Sequence, residues 1–187
     1  MSPFKVRFAP AVATLFALVV SSPAVAQDGF GLKLGGVFNS STVEDRETDL
    51  RPADAAGWNV GLEYVLPGGI GLGVSGYTTG SPTNFDTSQG SLVALADLNY
   101  FFRLPLLPVV PYFGLHVGLG TYQLQDVQDG VRPQVDFGDR GYQFGVRIQP
   151  TAIFGLDAQL RQVSGSIAGS QDSSFETRQI ILGVTLF

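Results

Sequence analysis

The residues able to do chemistry are few. His116 is the sole imidazole, and there is no cysteine. That excludes a thiolate nucleophile, structural disulfides, a lipid-anchored N-terminal Cys and a multi-histidine metal centre. His116 has glycines two residues to either side, Gly114 and Gly118, and no His-x-Ser follows it. Counting outward from a turn centred between residues 106 and 107 sets Asp97 opposite His116. An Asp–His pair with no nucleophile is not a hydrolase, but it is a complete interior hydrogen bond. Lys33, Glu63, Asp97, Arg147, Asp157 and Arg161 also fall in the middle of apolar-patterned segments. Gly71-Leu72-Gly73-Val74-Ser75-Gly76 has dinucleotide-binding spacing, with Asp97 about twenty residues on. That mechanism needs a strand before the glycines and a helix after them. Here Pro67-Gly68-Gly69 precedes and Tyr77 to Pro82 is turn-like, so the glycines read as space for larger neighbours. No cofactor and no metal is expected.

The elements that carry these residues are strands. Glycine numbers 24, and each one inside a helix would cost about 1 kcal/mol. From Phe30 the pattern has period two, which is the period of a strand. Phe30, Leu32, Leu34, Gly36 and Phe38 oppose Gly31, Lys33, Gly35 and Val37. The alternation recurs from Trp58 to Leu66, Ile70 to Val74, Leu92 to Phe102, Phe113 to Gly120, Tyr142 to Gln149 and Phe154 to Arg161. An eighth segment runs roughly from Thr177 to Phe187. Leu104 to Tyr122 carries no charge and could pass for a membrane helix, but Pro105, Pro108, Pro111, Gly114, Gly118 and Gly120 make it a turn followed by a strand.

The N-terminal segment reads as an address. Lys5 and Arg7 precede an apolar core from Ala11 to Val20, and Ala24-Val25-Ala26 fits a signal-peptidase site before Gln27. Residues 1–26 are therefore expected to be a cleaved signal peptide and 27–187 the mature domain. Losing Lys5 and Arg7 takes the net charge from -5 to -7, and no basic run offers a footprint for nucleic acid.

The connections alternate long and short. Long polar stretches at 39–56, 80–90, 123–139 and 164–176 are expected at one end; tight turns at 67–69, 103–109 and 150–153 at the other. An apolar face could be the core of a soluble sandwich or lipocalin, or it could meet lipid. The other face carries mid-strand charges among Gly, Ser, Asn and Gln. Aromatics gather near strand ends: Phe30, Tyr64, Tyr100, Phe102, Phe113, Phe154 and Phe187 at the turn side, Phe38, Trp58, Tyr122 and Tyr142 at the loop side. Both features favour lipid.

With the Ala24-Val25-Ala26 site, the opening strand Phe30 to Val37, the segment Pro111 to Gly120 and the terminal Phe187, the chain resembles the small outer-membrane β-barrel proteins, the group of the OmpA transmembrane domain and OmpX. The resemblance implies an all-β, eight-stranded antiparallel up-and-down transmembrane barrel in the cell outer membrane. It also implies Phe187 as the signal read by the barrel-assembly machinery. Ile180, Leu182, Val184 and Leu186 are out of phase with Phe187, which leaves the facing of strand eight and of Arg178 open between a bulge and a flipped last residue. The implied partners are outer-membrane lipid and lipopolysaccharide, periplasmic chaperones and the assembly machinery, with the chain a monomer.

Facing assignments gather Lys33, Glu63, Asp97, His116, Arg147, Asp157 and Arg161 in the lumen, with Arg147–Asp157 and Lys33–Glu63 as pairs. The loops are acidic: Glu44, Asp45, Glu47, Asp49 and Asp54; Asp86; Asp126, Asp129, Asp136 and Asp139; Asp172 and Glu176. Divalent cations could bridge them to lipid phosphates, although Asp126, Asp129 and Gly130 miss the EF-hand pattern. The expected function is a non-enzymatic barrel that braces the membrane or presents loops for recognition. A small-solute or apolar-molecule transporter is the alternative, and a lipid-modifying enzyme the third reading. Protease added to intact cells is expected to cut near Arg46, Arg51 or Arg132 and to spare Arg103; the reverse pattern of fragments by mass spectrometry would invert the topology.

Overall fold

A computed structural model describes residues 28–42, 55–83, 87–104, 107–126, 134–167 and 174–187. The proposed signal segment, Arg46, Arg51, Arg132 and most of the loop acids lie outside the described residues. Eight strands follow in order: β1 (Gly29–Thr42), β2 (Ala55–Val65), β3 (Ile70–Thr83), β4 (Thr87–Phe101), β5 (Val109–Asp126), β6 (Gln134–Ile148), β7 (Phe154–Ile167) and β8 (Ser174–Leu186). Each pairs antiparallel with its neighbours in sequence, and β1 pairs with β8 from Leu32↔Leu186 to Thr42↔Glu176, which closes the barrel. The ladder then has no edge, so its backbone groups are paired without water.

Parity divides the residues between two environments. Outward positions are even-numbered in β1 to β4 and β6 to β8 and odd-numbered in β5, and most of the large apolar residues at them stay exposed: Trp58 is 76 % exposed and Leu119 75 %. Odd positions of β1 to β4 and β6 to β8, and even positions of β5, point in. Gly71 and Gly73 thus belong to the inner face of β3, and no helix follows Gly76. The facing of β8 is resolved without a bulge: Thr177, Gln179, Ile181 and Thr185 are buried, while Arg178, Ile180, Leu182 and Leu186 are outside.

Two of the aromatics expected in outer belts, Tyr122 and Phe187, lie inside instead. Tyr122 shares the inward phase of β5 and packs on an interior apolar cluster. Phe187 shares the inward phase of β8, and its ring lies 5.4 Å from the Arg147 guanidinium. Phe154 faces out at the turn side.

The strands are also longer than the alternation suggested. They run from 11 residues in β2 to 18 in β5, where about 9–11 would span a bilayer. The stretch 80–90, expected to be a long loop, is mostly hairpin: β3 and β4 pair as far as Thr83↔Thr87. The expected loop 123–139 shrinks likewise, because β5 reaches Asp126 and β6 resumes at Gln134. A ladder needs only backbone donors and acceptors, so it continues through polar residues after the apolar alternation stops.

The β2–β3 turn requires glycine. Gly68 and Gly69 have φ of 101° and 88°, a left-handed region, and a Cβ on Gly69 would lie 2.6 Å from the Phe101 carbonyl oxygen. Inside the barrel, glycines make room for rings on the next strand. The Tyr112 ring fills the place of a side chain on its cross-strand partner Gly145; Phe137 does so over Gly120, and Phe175 over Gly165. Gly145→Val is expected to lower the stability of the folded barrel by about 1–3 kcal/mol, the usual range for overpacking. Gly36→Ala, on the outer face where nothing lies closer than 3.6 Å, is expected to be neutral. Urea titration followed by the gel mobility of folded and unfolded bands measures both.

Candidate functional site

The lumen is filled in layers. At the turn side, Val65, Phe101, Val110 and Tyr112 form an apolar cluster, with the Phe101 and Tyr112 rings 5.0 Å apart. At the loop side, Val37, Tyr77, Val93, Leu95, Phe137 and Ile181 form a second cluster, with Tyr122 and Phe175 against it. The sequence reading had assigned this face to small and polar residues. Val37, Val93, Leu95 and Ile181 correct it: their parity puts them inside despite their chemistry.

Between the two clusters lies a polar layer. Lys33 Nζ lies 2.6 Å from Glu63 Oε2, and Arg147 Nη2 lies 2.9 Å from Glu63 Oε1. Arg147 Nε donates to both Asp157 oxygens at 3.1 Å, across the β6–β7 pair Arg147↔Asp157. The Thr185 hydroxyl donates to the same carboxylate. The Arg147 guanidinium also sits over the Phe101 ring, 4.8 Å from its centroid. Arg161 Nη2 donates to Asp97 Oδ1 at 3.3 Å, and Ser75 donates to Asp97 Oδ2 at 2.5 Å.

Amides join these ion pairs. Asn99 donates to Glu63 at 3.3 Å, Gln143 to Asn99 at 2.6 Å, and Gln159 to Gln143 at 2.6 Å; Arg161 Nε donates to that same Gln143 oxygen at 3.0 Å. Tyr112 donates to Gln159 at 3.2 Å, which ties the layer to the turn-side cluster. Asn99 and Gln143 are each 1 % exposed, so the centre of the network is buried and its members depend on one another.

His116 departs from the expected pairing. Asp97 is its register partner on β4, but Asp97 is taken by Arg161 and Ser75. His116 Nε2 instead lies 3.2 Å from Asp139 Oδ1 on β6, and Tyr77 donates to Asp139 Oδ2 at 3.3 Å. Asp139 had been read as a loop acid. It is 1 % exposed in the inward phase of β6, two residues before Gly141 and four before Gln143. That parity was the available signal; Gly138-Asp139-Arg140 reads as loop only because it lacks apolar residues. Among the described residues the lumen therefore holds four carboxylates, Glu63, Asp97, Asp139 and Asp157, rather than three.

The arrangement can hold strands together. The side chains of His116 and Asp139 are fully buried, beneath the loop-side cluster. No serine hydroxyl donates to His116 among the described residues. For the ion pairs, removing one partner strands the other's charge, which costs about 3–5 kcal/mol. Arg147→Ala is expected to destabilise the barrel by roughly that amount, and adding Asp157→Ala to cost little more. The urea midpoints of the two single variants and the double test this. Strictly additive losses would mean that the two side chains do not interact.

The profile of the outer membrane protein beta-barrel domain matches residues 12–186. No curated protein matches the chain in sequence. Among solved structures, Neisserial surface protein A superposes with a TM-score of 0.71 at 17 % identity, covering 85 % of this chain and 97 % of that one. Ail, the attachment invasion locus protein of Yersinia pestis, gives 0.59 at 16 % identity, with 86 % and 99 % covered. The outer membrane protein OprG of Pseudomonas aeruginosa gives 0.56 at 12 % identity, with 86 % and 96 % covered. At these identities the likeness is one of fold.

Proposed function

Because the chain belongs to the outer membrane protein beta-barrel domain family and so resides in the outer membrane of a Gram-negative cell, we propose that it works there as a closed, non-enzymatic barrel that braces the membrane and presents its loop side for recognition. The carrying observation is the sealed lumen. A conducting barrel needs a continuous wet path, whereas this one stacks a largely buried ion-pair layer between two apolar clusters. Eight strands leave an interior just wide enough for side chains to fill. The deeply buried histidine argues in the same direction against catalysis, because a general base must reach its substrate within hydrogen-bond distance.

What remains available to a partner is the loop side. β3 to β6 run past the span that a bilayer requires; β5 exceeds it by about seven residues, or roughly 20 Å along the strand. Their paired ladder continues as far as Thr83↔Thr87 and Thr87↔Asp126, a backbone surface continuous with the barrel wall. Rigid strands hold such a surface more firmly than free loops would, which suits recognition.

Purified protein inserted into planar bilayers is expected to give no stepwise conductance. Discrete channel openings with the wild-type chain would overturn this reading and favour small-solute transport.

A further inference from the structure

The outer wall carries one further charged feature. Among the described residues, Arg103, Arg140 and Arg178 are the arginines that face outward. Arg103 lies at the turn side and pairs with Asp28. Arg140 and Arg178 both lie toward the loop side, and neither makes an ion pair with a described residue. The inward Arg147 and Arg161 are both paired.

Register sets the two free arginines around a common patch. Tyr142↔Gln162↔Arg178 forms one row across β6, β7 and β8, and Arg140↔Ser164↔Glu176 forms the next row toward the loops. Arg140 and Arg178 are thus diagonal across Gln162 and Ser164. Two strand spacings of about 4.8 Å put them roughly 10 Å apart across the sheet. Gln162 donates to Glu176 at 3.3 Å, which holds that carboxylate at one corner. On the other side of Tyr142 the same strands turn apolar: Phe144↔Leu160↔Ile180, then Val146↔Ala158↔Leu182, all outward.

We propose that this patch seats a phosphorylated lipid. Its anionic head would lie between Arg140 and Arg178, with hydrogen bonds from Gln162 and Ser164, and its acyl chains along Phe144, Leu160 and Ile180. An amphiphile of that chemistry fits both halves of the surface. Free phosphate would leave the apolar half unused, and an uncharged lipid would leave two arginines without counter-charge at the membrane boundary. Each cation near an anionic lipid surface contributes about 1 kcal/mol, and guanidinium suits phosphate because its donors are paired in a planar fork. The inference rests on the even-numbered face being in lipid.

The test is native mass spectrometry of the refolded barrel in detergent, with diphosphorylated lipid A, its dephosphorylated form and inorganic phosphate as probes. Wild type is expected to retain diphosphorylated lipid A. Arg140→Gln with Arg178→Gln is expected to lower retention at least tenfold, each single variant less, and Arg103→Gln not at all. Glu176→Gln, which removes the neighbouring negative charge, is expected to raise it. Undiminished retention by the double variant overturns the proposal. Equal retention of the dephosphorylated lipid would show adhesion by the apolar wall alone, and displacement of the lipid by equimolar inorganic phosphate would show a simple anion site; either result also overturns it. Heat-modifiable gel migration of the same samples keeps the two readings apart: a wild type that does not shift on boiling counts against the membrane barrel, whereas a shifting barrel that retains no lipid counts against the site.

Discussion

An unpaired backbone N–H or C=O in hydrocarbon costs several kcal/mol, and this chain meets that constraint by ring closure. Everything else follows from the closed ladder. Once β8 is paired with β1, every strand residue is committed to one of two faces, because the side-chain period is two. A slip of one residue in any strand would turn Glu63, Arg147 or Arg161 into lipid and bring Leu62, Val146 or Leu160 inside. Register is therefore held by both solvents at once.

The small circumference then decides what the lumen can be. With eight strands there is no room for an aqueous channel lined by large residues on all sides, so bulk on one strand is matched by its absence on the next. Tyr112 over Gly145, Phe137 over Gly120 and Phe175 over Gly165 are three cases of one arrangement. The glycine content that argued against helices thus has a second physical role, as the complement to interior rings. The same matching explains why the dinucleotide-like glycine spacing at Gly71 to Gly76 carries no ligand chemistry: two of its glycines face a crowded interior and the third faces lipid.

Parity was legible in the sequence because period-two alternation survives wherever one face is uniformly apolar. It located the strands and brought Lys33, Glu63, Asp97, His116, Arg147, Asp157 and Arg161 to one interior. Strand length was not legible, because the outer ends of β3 and β4 are polar at both parities, and those of β5 and β6 hold only two apolar residues each, Tyr122 and Leu124, Val135 and Phe137, too short a pattern to read. The apolar caps were hidden for the opposite reason. Val93 and Leu95 are interleaved with Leu92 and Ala94, so that stretch is apolar on both faces and parity alone cannot announce a plug. Asp139 was lost between these two effects, in a polar stretch that is nonetheless strand.

The ion pairs lie between the two apolar clusters. Charges in a wet channel are screened and individually replaceable. Here Glu63 serves both Lys33 and Arg147, Arg147 serves both Glu63 and Asp157, and Gln143 links Arg161 to Asn99 and Gln159. With apolar clusters on both sides and most of these side chains buried, water replaces a lost partner poorly, so the groups depend on one another. Strands β1, β2, β4, β6, β7 and β8 each contribute to the ion pairs or their direct hydrogen bonds, β3 enters through Ser75, and β5 through Tyr112. The network thus fastens the barrel from within, across strands that are not neighbours, where the backbone ladder joins only adjacent ones. The interior of this barrel thus contributes cohesion that the backbone ladder alone does not supply.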